Sequence, residues 1–233
     1  MSSPQASRLG IGIVGAGRVG PVLGRALAGA GHAITGISAV SEESRERAEA
    51  MLPGVPILEV QEIVRRSELV LLAIPGSELP GLVSGLAKLG AWQPGQLVIH
   101  TAPEHGTAVF AEAQGVIPIA LHPGMVFTGT SLDLARLNGA TVAVTAPAVV
   151  QPIGQALVVE MGAEPVIVAE SDRGAYAEAV TVASAAARLA AADAIKTLQE
   201  LGIARAERIV GGAVHAAIDE EVGRYSGDPG LGA

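Results

Sequence analysis

Residues 8–32 read RLGIGIVGAGRVGPVLGRALAGAGH, and the reading of this stretch decides the fold. Residues 11–14 are a short run of apolar residues and glycine, fit for a parallel strand buried on both faces. From 19 to 30 the spacing becomes helical. Val19, Val22, Leu23, Ala26, Leu27 and Ala30 share one face, and Gly31 closes the run. Between strand and helix stand Gly15, Gly17 and Gly20. Gly15 allows a tight turn off the strand. Gly17 lets backbone approach a pyrophosphate. Gly20 lets the helix lie close to the strand. The helix N-terminus then offers free N–H groups and partial positive charge to that pyrophosphate. Gly15, Ala16, Gly17, Arg18, Val19 and Gly20 are therefore expected to hold the phosphates of a dinucleotide.

Outward from this turn, strand-like runs recur at 33–38, 55–58, 68–75, 96–102, 116–123, 139–145 and 164–169. Helical patterns fall between them at 42–51, 59–66, 77–89, 106–114 and 147–161. Strands alternating with helices of about ten residues predict an α/β chain with a doubly wound, mostly parallel sheet. The pattern changes at residue 171, after which no strand is expected. Residues 175–194 hold eleven alanines, and 203–222 carry apolar residues at helical spacing. The expected organisation is a dinucleotide-binding domain over 1–170 and a small helical segment over 171–233. Two helices make a poor core by themselves. The helical segment is expected to form a homodimer, the alternative being a monomer with the helices folded back. The first eight residues and the tail SGDPGLGA (226–233) read as loose ends.

Composition narrows the partners. Trp92, Phe110, Phe127, Tyr176 and Tyr225 are the whole aromatic set, 2% of the chain, so base-stacking platforms are excluded. A net charge of −8 argues against nucleic acid and anionic membrane surfaces. The absence of cysteine removes disulfides and thiolate chemistry, and fits a reducing cytoplasm. The longest uncharged stretch, 137–159, contains Pro147 and Pro152 and reads as a strand and a helix rather than a membrane span.

The end of the second strand bears on which dinucleotide binds. An acidic residue there would accept from the ribose hydroxyls, as in NAD sites. This chain has Ser38, followed by Ser41, Arg45 and Arg47, which suit a 2′-phosphate; Glu42 and Glu43 oppose it. NADP is expected ahead of NAD.

Four segments carry a family resemblance: GIVGAGRVGPVLGRALAGAGH (12–32), ELVLLAIPGSEL (68–79), GQLVIHTAPEHG (95–106) and ALHPGMVFTG (120–129). Together they resemble the superfamily of 6-phosphogluconate dehydrogenase-like and pyrroline-5-carboxylate reductase-like proteins. The nearest likeness is to a branch of Rossmann-like oxidoreductase-like proteins with a C-terminal helical domain of unknown function. The resemblance covers residues 9 to about 170. It implies a nicotinamide-binding sheet domain and a helical, dimer-forming end. It also implies that the loops holding Ile74, Pro75, Gly76, His100, Thr101 and Ala102 line the nicotinamide end. HPGM (122–125) is similar to the His-Pro stretch of prephenate dehydrogenases. In that family a Ser at the preceding strand end and this His act on the substrate hydroxyl; Thr101 and His122 hold the matching places. The lysine of the β-hydroxyacid branch has no counterpart, because Lys196 is too far along the chain.

The candidate catalytic residues are His122, Thr101, His100 and His105, at the carboxyl edge where open α/β sheets bind ligands. A neutral His can take a proton from a substrate hydroxyl as hydride leaves the carbon. His122 is the first choice, with Thr101 orienting the same oxygen and His100 or His105 assisting. No metal site is expected, since the histidine spacing is not helical. His32 and His215 read as surface residues. Two readings follow. One is an NADP-linked oxidoreductase moving hydride to or from a small carbonyl, imine or hydroxy compound. The other is a nicotinamide-nucleotide-binding protein without turnover, a sensor or subunit. A cleft lined by His122 and Thr101 would favour the first; apolar filling of that space would favour the second.

Overall fold

The computed structural model describes residues 8–225, so the expectations for residues 1–7 and 226–233 lie outside the described residues. Seven strands form one sheet in the order β2-β1-β3-β4-β5-β6-β7. They are β1 (Gly10–Val14), β2 (Ala33–Ser38), β3 (Leu69–Leu72), β4 (Leu97–His100), β5 (Ile117–Pro123), β6 (Thr141–Thr145) and β7 (Glu164–Ile167). All neighbours pair parallel except β5 and β6. The helices are α1 (Gly20–Gly29), α2 (Glu42–Met51), α3 (Val60–Arg66), α4 (Leu79–Lys88), α5 (Leu132–Leu137), α6 (Gln151–Glu160), α7 (Arg173–Glu200) and α8 (Ala206–Tyr225). The doubly wound, mostly parallel α/β sheet followed by helices is the architecture expected from the sequence.

Side chains alternate across a strand, and here both faces are apolar. Ile11, Ile13, Leu69, Leu71 and Ile99 join one core cluster, with Val22, Leu23 and Leu27 of α1 and Leu157 and Val158 of α6. Val14, Val70, Leu72 and Val98 join the other, with Ile63 and Val64 of α3 and Leu79, Val83 and Leu86 of α4. Each fully buried aliphatic side chain contributes about 1.5–3 kcal/mol of transfer free energy. This two-sided burial explains why the strands read as continuous apolar runs.

The topology places the site. Strands β1, β3, β4 and β5 are parallel, so their carboxyl ends share one edge. From β1 the chain turns to β2 on one side, then returns to β3 on the other. The edge between β1 and β3 is therefore the topological switch point, where such sheets bind ligands.

Several local expectations are corrected. Residues 55–58 make no strand; they give one bridge, Ile57 to Ile37, with hydrogen bonds through Pro56 O and Leu58 N. Pro56 has no N–H to extend a ladder. Residues 106–114 hold only a 3-10 turn, Thr107–Phe110. The Glu170 carboxylate takes the N–H groups of Thr107 and Ala108, anchoring that turn at its start. The short helix α5 was not legible. The buried Asp133 in it accepts from the N–H groups of Thr128 and Gly129, and so fixes the loop after β5. His32 is no surface residue: its side chain is 6% exposed. Its Nδ1 accepts from Leu9 N–H and its Nε2–H donates to Glu160.

The contacts divide the chain into two units, 1–177 and 178–233. The second unit holds most of α7 and all of α8. Among its described residues Ala206 and Val210 are buried, whereas Val182, Leu189, Leu201, Ile209 and Val222 are exposed.

Candidate functional site

The glycine turn has the geometry its sequence predicts. Gly15 sits at φ +105°, a conformation that side-chain-bearing residues rarely adopt. A Cβ there would also lie 2.4 Å from the Ala73 carbonyl oxygen of the neighbouring strand end. Gly20 is closed to side chains too, since a Cβ would meet the Gly15 carbonyl oxygen at 2.1 Å. Gly17 differs from both: nothing lies within 4 Å of a Cβ built on it. The outer rim of the turn thus faces open space. Among the described residues, the N–H groups of Ala16, Gly17, Arg18 and Val19 have no acceptor. Two neighbours brace the turn from behind. Gly15 N–H donates to Ser38 Oγ at 2.9 Å, and Arg47 Nη1 donates to the Ala16 carbonyl at 3.1 Å.

Two hollows flank this turn. The first, about 560 Å³, is lined by Gly15, Ala16, Ser38, Val40, Ser41, Ser44, Ile74 and Glu78, among others. Ser41 is the N-cap of α2, its hydroxyl accepting from Ser44 N–H. Arg45 is exposed and stands outside this lining, and Arg47 is engaged with Ala16 and Glu43. The second hollow, about 280 Å³, is lined by Val19, Ile74, Pro75, Gly76, Thr101 and His122, together with Pro103, Pro123, Met125 and Phe127. Ile74 belongs to both, so the hollows adjoin across the glycine turn. The open rim, the unpaired amides and the two adjoining hollows fit an extended dinucleotide. Gly15 to Val19 would hold its phosphates, Ser38 and Ser41 would face one end, and Ile74 to Gly76 the other.

The four catalytic candidates separate. Thr101 and His122 line the second hollow. His100 does not, since it is fully buried on β4, with its ring 5.6 Å from that of Phe110. Its Nε2–H donates to the Gly106 carbonyl at 3.1 Å, and its Nδ1 is buried without a partner. Burial holds its pKa down to about 4, a little offset by the Gly106 bond. His105 is a tether, its Nε2–H donating to the Gly76 carbonyl at 2.9 Å and tying the loops after β3 and β4 together. Neither His100 nor His105 lines the second hollow, so the expected assisting role has no direct contact with it.

Three further residues shape the site. The His122 Nδ1 lies 2.7 Å from the Tyr176 hydroxyl. Burial first, then Arg173, holds His122 down to about 4, so it is neutral at pH 7. Arg173, in the first turn of α7, is 2% exposed. Its Nε donates to His105 O at 3.0 Å and its Nη2 to Ala102 O at 2.9 Å, while Nη1 is buried without a partner. Its Cζ lies 5.5 Å from the centre of the Tyr176 ring. Glu170 spans the other side of the same loop; burial pushes its carboxyl up, but the N–H groups of Ala108 and Thr107 hold it below the usual range. Arg173 was missed in the sequence. Its one signal was a cation between Asp172 and Gly174 at the head of an alanine-rich helix.

Residues 1–123 match the Rossmann-like domain. The chain belongs to that family. Residues 140–223 match a domain of unknown function, DUF2520, so the Rossmann-like domain here is followed by that second domain. No curated protein matches in sequence. Three solved structures illustrate the likeness in fold. A protein assigned as an NADP oxidoreductase, from Bacteroides fragilis, aligns over 95% of this chain and 82% of its own, at 16% identity and a TM-score of 0.76. A 1-pyrroline-5-carboxylate reductase from Streptococcus pyogenes aligns over 95% and 82%, at 21% identity and a TM-score of 0.69. A pyrroline carboxylate reductase from Plasmodium falciparum, solved with NADP bound, aligns over 95% and 80%, at 12% identity and a TM-score of 0.64. No helix among the described residues is long and apolar enough to cross a membrane.

Proposed function

We propose that this Rossmann-like protein is an NADP-linked oxidoreductase acting on a small carbonyl, imine or hydroxy compound. The observation that carries the reading is the pair of adjoining hollows on either side of the open glycine turn, one of them holding Thr101 and His122. A bound nicotinamide would supply a hydride donor or acceptor beside these side chains. Thr101 would hold the reacting oxygen or nitrogen by a hydrogen bond, and His122 would manage its proton. The second hollow is open rather than filled by apolar side chains, which favours turnover over binding alone. The serines of the first hollow and the absence of an acidic residue at the end of β2 favour the 2′-phosphorylated cofactor. The exposed apolar residues of α7 and α8 support a homodimer through the C-terminal helices.

Thermal shift with NADP⁺, NADPH, NAD⁺ and NADH tests this. A ligand at a hundredfold excess over its Kd stabilises the folded state by about 2.7 kcal/mol. In a chain of this size that raises Tm by roughly 5–10 °C. The phosphorylated pair is expected to shift Tm more than the other pair. No shift with any of the four would overturn the proposal.

A further inference from the structure

Arg173 is a buried cation with no carboxylate within ion-pair distance among the described residues, and one of its nitrogens, Nη1, has no acceptor. A guanidinium does not lose its proton to relieve that cost. Inside the site, the Tyr176 phenol is able to become an anion beside it, its ring lying 5.5 Å from Cζ, and Glu170 and Glu104 also act on the guanidinium through space. That phenol in turn meets His122, and His122 meets the hollow.

The hydrogen bonding favours one placement of the protons. His122 is neutral, so one ring nitrogen is a donor and the other an acceptor. If Nδ1–H donated to the phenol oxygen, the Tyr176 O–H would need another acceptor. Among the described residues it has none, because its one hydrogen bond there is with Nδ1. If the O–H donates to Nδ1, both groups are satisfied at once, and Arg173 makes the phenol the stronger donor. The proton of the imidazole then sits on Nε2. That nitrogen has no hydrogen-bond partner among the described residues. His122 lines the hollow, and Nε2 is the ring nitrogen left to serve it.

We propose that Tyr176 and Arg173 act through His122 as a proton-delivery chain aimed at the reacting atom of a substrate undergoing reduction. The proposal rests on the oxidoreductase reading above, with a dihydronicotinamide as the hydride donor. When the substrate carbon has accepted hydride, its oxygen or nitrogen takes the proton of His122 Nε2–H. The Tyr176 O–H bond breaks and its proton moves to Nδ1, so the imidazole stays neutral throughout. The negative charge ends on the Tyr176 oxygen beside Arg173, which then has its counter-ion. Afterwards water supplies a proton to Nε2 while the Nδ1 proton returns to the phenolate, which restores the starting tautomer. Tyr176 and Arg173 are positioning residues here; His122 alone touches substrate. The charged groups facing the chain are Arg173 from α7, Glu170 just before it and Glu104 from the loop after β4; Glu104 works against Arg173 at His122, and both carboxylates act on Arg173. The resting state, with a proton already on Nε2, suits reduction rather than oxidation.

The test reads the protons directly, on the full-length chain, without a substrate. In ¹⁵N-histidine-labelled wild-type protein at pH 7, His122 is expected as the Nε2–H tautomer, with Nδ1 showing the signature of a hydrogen-bonded acceptor. The resonance is assigned by loss in His122→Gln. In Tyr176→Phe the acceptor signature at Nδ1 is lost and the two tautomers exchange. In Arg173→Met the Tyr176 phenol, followed by ¹³C NMR and distinguished from Tyr225 by Tyr225→Phe, titrates at higher pH than in wild type. A wild-type His122 carrying its proton on Nδ1 overturns the chain even if Arg173→Met fails to fold. So does an unchanged tautomer in Tyr176→Phe. Thermal shift with NADPH separates the two levels. A retained shift with the wrong tautomer sinks the chain alone, and no shift sinks the oxidoreductase reading and the chain with it.

Discussion

Arg173 donates through Nη2 to the carbonyl of Ala102 at 2.9 Å, joining residues 71 positions apart. With its second bond, to His105 O, it closes the loop after β4 against the head of α7. The loop's first residue, Thr101, lines the second hollow, so this contact sets where a substrate's polar end would rest. Arg173→Met removes both donors and leaves two carbonyls short of a partner, each costing about 1–3 kcal/mol where buried. The expected loss of stability is roughly 2–5 kcal/mol by urea unfolding, with Arg173→Lys recovering part of it. A variant as stable as wild type would show that the loop is held by other contacts.

Gly17 separates the packing role of the glycines from their binding role. Gly15 and Gly20 are hemmed in by neighbouring backbone, but a side chain at Gly17 meets only open space. Gly17→Val is therefore expected to fold with Tm within a few degrees of wild type. Its side chain would occupy the rim where a phosphate would lie, weakening NADPH by roughly a hundredfold, about 3 kcal/mol. Isothermal titration calorimetry measures this. Equal affinity in the two proteins would mean that the pyrophosphate does not sit on this turn.

The glycine turn and the strand pattern were legible because both follow from local rules. A buried parallel strand must be apolar on both faces, and the turn off β1 must lack side chains where Ala73 and Gly15 O stand. What was hidden depended on distant contacts. Nothing near residue 57 announces that it has a single bridging partner, although Pro56 limits pairing. His100, His105 and His122 look alike in sequence, each close to a strand end. Their fates diverge because the register pairs His100 with Ala120, which leaves His122 two residues further toward the edge. His100 is thereby enclosed and His122 opens to the hollow. Arg173 belongs to a helix that begins some seventy residues beyond the carbonyls it binds, a distance no local pattern spans.

The enclosed His100 gives a pH dependence with a definite sign. Its folded-state pKa is about 4, against about 6.5 in the unfolded chain. Between these values the unfolded state binds more protons, so stability falls as pH drops through that window. Above pH 6.5 the contribution is fully present, and below 4 it has gone. The loss amounts to roughly 3 kcal/mol for this residue. His122 is held low for the same reason, and so adds to the decline. Urea unfolding of wild type and His100→Asn at pH 7 and pH 4.5 isolates the first part. The variant should lose less stability between the two pH values than wild type does. An identical decline in both would show that His100 protonates in place without cost.

Energetics support the proposed dimer through the helical end. Leu189 on α7 is 65% exposed and Ile209 on α8 is 54% exposed, in a unit where few of the described side chains are buried. Burying such residues recovers about 1.5–3 kcal/mol each, enough in sum to hold two copies together. Light scattering is therefore expected to give about 47 kDa, twice the chain mass of 23.3 kDa. Leu189→Glu places a charge where the second copy would pack, and should shift the mass toward that of one chain. The glycine turn lies in the first unit, so the same variant should still respond to NADPH in thermal shift. A wild-type protein that runs as a single chain at 100 μM would rule the dimer out, and would leave the apolar residues of α7 and α8 to another partner.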